Sequence, residues 1–236
     1  MSLNVLSLFA GIGGLDLGLE RAGMTVVGQV EIDPYCRRVL AKHWPDVPQH
    51  DDVRTAAEWW LSEERPVVDV ICGGFPCQDI SSANTRGRHG LAGAKSSLWR
   101  DMCVIVRDVR PRWVIVENSS EWRRWAPNVR ADLLGLGYGT AALRLSAGSF
   151  GAPHKRPRVL VVADAHSQGE PLRTFYEKVA GLSPLPRRSE QQARAATVGM
   201  GYGLPTRMDQ LRALGNAVYP AVAQYVGELI LSESAA

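Results

Sequence analysis

The sequence predicts an α/β domain built on an open, largely parallel sheet, and three observations carry that reading. The chain opens as strand, glycine turn and helix: Asn4–Phe9, then Ala10-Gly11-Ile12-Gly13-Gly14, then spaced apolar positions Leu15, Leu17, Leu19 and Ala22 ending at Gly23. A second strand, Met24–Val30, sets Glu31 at its end, roughly 20 residues past the turn, where an acidic side chain accepts ribose hydroxyls. Further on, Val67-Val68-Asp69-Val70-Ile71 is an apolar run closed by Gly73 and Gly74, the pattern of a buried parallel strand delivering its carboxyl end into a tight turn.

The totals bound the class. A chain of 236 residues, 45% hydrophobic and 22% charged, suits one soluble domain with a large core and a small appendage. No apolar run is long enough to span a bilayer, and Met1-Ser2-Leu3-Asn4 leads straight into a strand without a basic segment, so no membrane partner and a cytoplasmic location are expected. Cys36, Cys72, Cys77 and Cys103 have neither paired close spacing nor His partners, so neither a metal site nor a disulfide framework is expected. The net charge of +3 is too weak to announce a nucleic-acid binder. Its distribution says more: Arg86, Arg88, Lys95 and Arg100 crowd one stretch, and Lys155, Arg156 and Arg158 form another, compatible with phosphate contacts or with a solvated face.

The elements follow in order. Asp33-Pro34 starts a helix to about His43. Asp51-Asp52-Val53 follows a short apolar stretch at Val47, and an Asp there suits either an adenine amine or a helix cap. Cys77 lies just past the central strand behind Pro76, placed like a nucleophile; the alternative is a small buried hydrophobe, which fits Cys72 better. Ile80 to Ser97 is a long polar connection with Gly87, Gly90 and Gly93, the length of a functional lid or a disordered segment. A helix from about Leu98 to Val109 leads through Pro111 into the strand Trp113–Val116, with Glu117-Asn118-Ser119 at its end. A partly buried carboxyl there can hold or deliver a proton near neutral pH, whereas an exposed one would only cap the next turn. A helix from about Asn128 to Leu136 precedes two strands, Thr140–Ser146 and Val159–Ala163, which flank Gly151-Ala152-Pro153-His154-Lys155-Arg156-Pro157-Arg158. Alternate residues of an extended segment face one way, so Arg156 and Arg158 can converge. From Asp164 to about Gly203 no strong core pattern can be read, and regularity returns at Arg212–Val218, which opens an apolar helix through Val222, Val226, Leu229 and Ile230.

Five blocks, Phe9-Ala10-Gly11-Ile12-Gly13-Gly14, Gly74-Phe75-Pro76-Cys77-Gln78, Glu117-Asn118, Arg156-x-Arg158 and Gly215-Asn216-Ala217-Val218, together resemble the cytosine-5 DNA methyltransferases of bacterial or phage type. The resemblance spans about residues 3–164 and 210–232. It implies a doubly wound, Rossmann-like methyltransferase sheet with one reversed strand, plus a small irregular target-recognition region. The expected division is a catalytic and cofactor-binding domain over 1–164, a reduced recognition region over 165–207, and a C-terminal helix over 208–236 returning to the catalytic domain.

The resemblance also implies roles. S-adenosyl-L-methionine would be surrounded by Phe9, Ala10, Gly11, Gly13, Gly14, Leu15, Ile32, Pro76 and Leu98, with Glu31 on the ribose, Asp52 and Val53 at the adenine, and Asn216, Ala217 and Val218 closing the pocket. Cys77 would add to carbon 6 of a flipped-out cytosine, Glu117 would serve the ring nitrogen at position 3, Arg158 the exocyclic oxygen, and Arg156 the loop or the phosphates. Double-stranded DNA is the implied partner, contacted by Gln78, Ser81, Arg86, Arg88, Lys95, Arg187 and Arg188, with a cognate restriction endonuclease possible and a monomer expected. Two support positions depart from the family pattern: His154 stands where Gln is usual and Ser119 where Val is usual. The small reader, in which Arg173, Lys178, Arg187, Arg188, Arg194 and Arg207 outnumber the acids, implies a short recognition sequence and mostly phosphate contacts. The rival readings are an RNA cytosine-5 methyltransferase of the same architecture and a non-catalytic cofactor-binding subunit; the latter should have lost Cys77, Glu117 or Arg158, and all three are present.

Overall fold

A computed structural model of the chain describes residues 2–76, 98–181, 214 and 217–235. Seven strands form one sheet: β1 (Asn4–Leu8), β2 (Thr25–Val30), β3 (Gln49–His50), β4 (Val70–Gly73), β5 (Trp113–Ser119), β6 (Gly139–Ser146) and β7 (Pro157–Asp164). Their order is β3-β2-β1-β4-β5-β7-β6, and β7 alone runs against its neighbours. The reversed strand and the doubly wound sheet agree with the fold class read from the sequence.

Helices cover both faces because the strands are apolar on both. On one side α3 (Ala56–Leu61), α4 (Leu98–Val109) and α5 (Ala126–Gly135) bury Trp60, Trp99, Met102, Ile105 and Val129 against Leu6, Leu8, Ile71 and Val114. On the other, α1 (Gly14–Ala22), α6 (Arg173–Ala180) and α7 (Pro220–Ser234) bury Leu19, Phe175, Val226 and Ile230 against Val5, Val70, Ile115 and Val162. Helix α2 (Pro34–His43) starts on a side-chain cap: Asp33 accepts from the backbone N–H groups of Tyr35 (2.8 Å) and Cys36 (3.3 Å), with Pro34 at the first helical position. The contact of α1 with α7 is close because Gly18 presents no side chain there; a Cβ would stand 2.4 Å from the Pro220 carbonyl oxygen.

Several expectations are corrected. The central strand begins at Val70 rather than Val67: Val67 is 78% exposed, and the chain is turned in by Asp69, whose carboxyl accepts from Asn4 N–H at 2.8 Å. The last helix runs over Pro220–Ser234, and residues 217–219 precede it without helical structure. The stretch after Asp164, in which no strong core pattern is read, contains α6 packed on the sheet. Phe175 is buried with its ring 5.9 Å from that of Trp113, the Tyr176 hydroxyl accepts from the edge-strand N–H of Ala142 at 2.9 Å, and Lys178 pairs with Glu233 at 2.7 Å. Lys178 is therefore engaged with α7 and not a free reader cation.

One buried polar cluster was not anticipated. Asp16, fully buried on α1, accepts from the Ser7 hydroxyl (3.0 Å) on β1 and the Gln29 amide (2.9 Å) on β2, which are paired residues. Burial pushes its carboxyl up to about 6 despite these donors. The folded state therefore binds the proton more tightly than the unfolded chain, and this contribution to stability is full below the ordinary value of 3.8 and lost as pH rises through about 6. Asp16→Asn should be more stable than wild type above pH 7, by up to about 3 kcal/mol. The Gln29 Oε1 atom, buried without a hydrogen-bond partner, can turn to accept from the new amide. Urea unfolding checks this: the difference between variant and wild type should grow from pH 4 to pH 7, and a difference independent of pH would contradict it.

Candidate active site

The carboxyl ends of β1, β2, β4 and β5 open on a cleft of about 560 Å³, within the range of small-molecule sites. After β1 the backbone turns through Phe9 (φ 53°) and Gly11 (φ 57°), left-handed conformations that bring backbone rather than side chain to the cleft. Glu31, at the end of β2, is fixed by two backbone donors: Gly11 N–H to one carboxylate oxygen (2.7 Å) and Asp33 N–H to the other (2.8 Å). The glycine turn and the start of α2 are thus tied to one carboxylate at the rim. Beside it Ile32 holds an apolar side chain out, 68% exposed. Asp52 caps the turn Val53–Thr55, accepting from Arg54 N–H (3.0 Å) and from its guanidinium (2.6 Å at the shortest), and these bonds hold its carboxyl below the usual range.

The other half of the cleft is built on the ends of β4 and β5. Glu117 is 7% exposed, and burial pushes its carboxyl up to about 7 against the opposing charges of Arg158 and Arg156. The Arg158 Nε atom lies 2.8 Å from Glu117 Oε1, an ion pair that favours the charged carboxylate. Gly74 makes room: a Cβ there would come within 2.7 Å of Glu117 Oε2. Next to it, the Asn118 amide donates to the Phe75 carbonyl at 3.0 Å, and the Phe75 ring packs against Trp99 and Trp125 at centroid distances of 6.1 and 6.0 Å. The turn leading to Cys77 is thereby fixed from β5.

Of the sequence-predicted residues, Phe9, Ala10, Gly11, Gly14, Leu15, Glu31, Ile32, Asp52, Val53, Pro76, Leu98, Glu117, Arg158, Ala217 and Val218 line this one cleft. Gly13 does not: it caps α1 and faces Trp44, where a Cβ would stand 2.4 Å from the ring. Arg156 does not line it either; its Nη2 donates to the Ala217 carbonyl at 2.8 Å. Cys77, Gln78, Ser81, Arg86, Arg88, Lys95, Arg187, Arg188 and Asn216 lie outside the described residues. Cys72 is fully buried, and burial followed by the nearby Asp16 pushes its thiol well up, which makes it a packing residue. The role of Asn118 was missed, although a polar side chain beside Glu117 in an otherwise apolar strand was a signal for it. No group of three potential metal ligands occurs among the described residues, and no helix among them is long and apolar enough to cross a membrane.

A seven-stranded sheet with one reversed strand and a cleft over its first strands is the architecture of Rossmann-like methyltransferases. Among solved structures, the chain is similar to one from E. coli described as a DNA modification methyltransferase encoded within a prophage (26% identity, TM-score 0.58, 70% of this chain and 47% of that one). It shares the fold of the S. pombe Dnmt2 methyltransferase (20% identity, TM-score 0.59, 76% and 55%). The sequence matches the profile of the C-5 cytosine-specific DNA methylases over residues 3–197, and the chain belongs to that family. Curated relatives include the type II methyltransferases M2.BsuMI of Bacillus subtilis (35% identity over 170 residues, 68% of this chain, 42% of the relative) and M.Eco47II of Escherichia coli (27% over 227 residues, 89% and 52%). The chain thus spans about half the length of these relatives.

Proposed function

We propose that the chain is an S-adenosyl-L-methionine-dependent DNA (cytosine-5-)-methyltransferase acting on a flipped-out cytosine in double-stranded DNA. The observation that carries this is the convergence of Glu117 and Arg158 with the turn before Cys77 on the same cleft as Glu31 and the glycine turn, a base site and a nucleotide site sharing one wall.

The cleft suits this cofactor chemically. Glu31, already oriented by two amides, offers its remaining lone pairs to ribose hydroxyls. Ile32 and Val53 give an adenine apolar faces, and Asp52, though engaged by Arg54, lies within the same lining and can still accept from its amine. When bound, the cofactor supplies an electrophilic methyl group on a sulfonium. The chain's own residues make cytosine able to take it. Cys77 adds as thiolate to carbon 6, the π pair of the 5,6 bond shifts to the 4,5 position, that of the 3,4 bond moves onto nitrogen 3, and the charge that builds there is met by a proton held on Glu117. A carboxyl pushed up to about 7 holds that proton at neutral pH. Arg158, next to Glu117, can donate to the exocyclic oxygen while limiting how far the carboxyl rises. After methyl transfer, a base removes the proton from carbon 5, the electron pair of that bond re-forms the 5,6 double bond and expels the thiolate from carbon 6, and nitrogen 3 returns its proton to Glu117. The DNA contacts of the residues outside the described set, and a companion restriction endonuclease, belong to this reading as well.

The experiment is methyl transfer from labelled S-adenosyl-L-methionine to double-stranded DNA, with methylated cytosines mapped by bisulfite sequencing. Label at carbon 5 of cytosine supports the proposal. Binding of cofactor and DNA by the folded chain without any transfer would favour the non-catalytic reading, and label on RNA alone would favour the RNA one.

A further inference from the structure

Arg156 was expected to serve the phosphates or the neighbouring loop, and its geometry gives it a different task. It stands just before β7 with φ 38°, a conformation that side chains other than glycine rarely adopt and that persists only where the surroundings over-determine it. Its side chain crosses to the C-terminal segment, 61 residues away, where Nη2 donates to the Ala217 carbonyl at 2.8 Å. Ala217 and Val218 form one wall of the cofactor half of the cleft. The same wall packs closely on the first residue of α1: a Cβ on Gly14 would stand 2.5 Å from the Val218 carbonyl oxygen. The segment is therefore held both by close packing on Gly14 and by the Arg156 bond.

The same guanidinium acts on the other half of the cleft. Among the described residues, the charged groups that bear on Glu117 are Arg158 and Arg156, both favouring its ionised form. Arg158 is in contact with the carboxyl and lines the cleft, whereas Arg156 does not line it.

We infer that Arg156 is a positioning residue that latches the Ala217-Val218 wall of the cofactor site to the strand carrying Arg158, so that the cofactor half and the base half are held in register by one side chain. This rests on the proposed function for its consequence, but the latch itself is a property of the chain alone. A phosphate-binding Arg156 would leave the wall unaffected when removed. A latch would not.

Two variants of the full chain separate the roles. R156K keeps a positive charge near Glu117 but loses the fork that reaches the Ala217 carbonyl; R156Q loses both. In the protein without cofactor, hydrogen exchange at the amides of Ala217, Val218 and Tyr219 should quicken about tenfold or more in both variants, with Tm little changed, as expected for loss of a charge-assisted bond. The Kd for S-adenosyl-L-methionine, read by calorimetry, should rise by a similar factor in both. R156Q alone should also move the alkaline limb of the pH–rate profile upward, because a positive charge that favours the ionised Glu117 is gone. Exchange at these amides within twofold of wild type in both variants would overturn the inference, as would a loss of affinity that merely follows a fall in Tm. If wild type binds no S-adenosyl-L-methionine, the proposed function fails while the exchange measurement still decides the latch.

Discussion

Glu117→Gln should lower the rate of methyl transfer by about 10²–10⁴-fold, the range contributed by a positioned general acid or base. The glutamine amide is nearly isosteric, so it fits the space left by Gly74 and can still offer an N–H to nitrogen 3, but it cannot transfer a proton to it. The pH dependence gives a second signature. Glu117 is raised by burial to about 7, so its protonated form is lost as pH rises through that value, and the wild-type rate should fall on the alkaline side of about 7 once the demand of Cys77 for ionisation is met. In Glu117→Gln that fall should vanish. Single-turnover rates across pH 6–9 measure both effects, and a variant within tenfold of wild type with an unchanged profile would remove Glu117 from the chemistry.

Cys77→Ala should abolish methyl transfer, a loss on the order of 10³-fold or more, while cofactor affinity stays close to wild type. The three other cysteines are poorer candidates for the nucleophile. Cys72 is sealed in the sheet with its thiol pushed up by burial, Cys36, on α2, lines the cleft but is only 7% exposed, and Cys103, on α4, is also raised by partial burial. Calorimetry with S-adenosyl-L-methionine beside the transfer assay checks the separation; residual transfer near the wild-type rate would place the nucleophile elsewhere.

Much of this site was legible because its signals are local. The glycine turn after β1, Glu31 at the end of β2 and Asp33-Pro34 opening α2 are each specified by a few adjacent residues, and the structure joins them through the two amide bonds to Glu31. Glu117 was legible for a similar reason, as an acid ending an apolar strand. What was not legible depends on distant residues. The Asn118 bond to Phe75 spans 43 positions, and the Arg156 bond to Ala217 spans 61, so neither leaves a periodic trace. The helix α6 was missed because its core contribution rests on one fully buried residue, Phe175, in eight, and its stability comes from Trp113, Ala142 and Glu233 elsewhere in the chain. Asp16 looked like an ordinary acid in the first turn of a helix. Only the pairing of Ser7 with Gln29 beneath it reveals a carboxyl sealed inside the sheet.

The central claim is that Cys77 attacks carbon 6 of cytosine, and its most direct test is covalent trapping on duplex DNA in which cytosine is replaced by 5-fluorocytosine, with S-adenosyl-L-methionine present. Fluorine at carbon 5 cannot leave as a proton does, so the thiol–base bond that forms is not resolved. Wild type should give a denaturation-resistant protein–DNA band, and Cys77→Ser should give none. A wild-type protein that binds both DNA and cofactor yet leaves no band, or a Cys77→Ser band of undiminished intensity, would contradict the account.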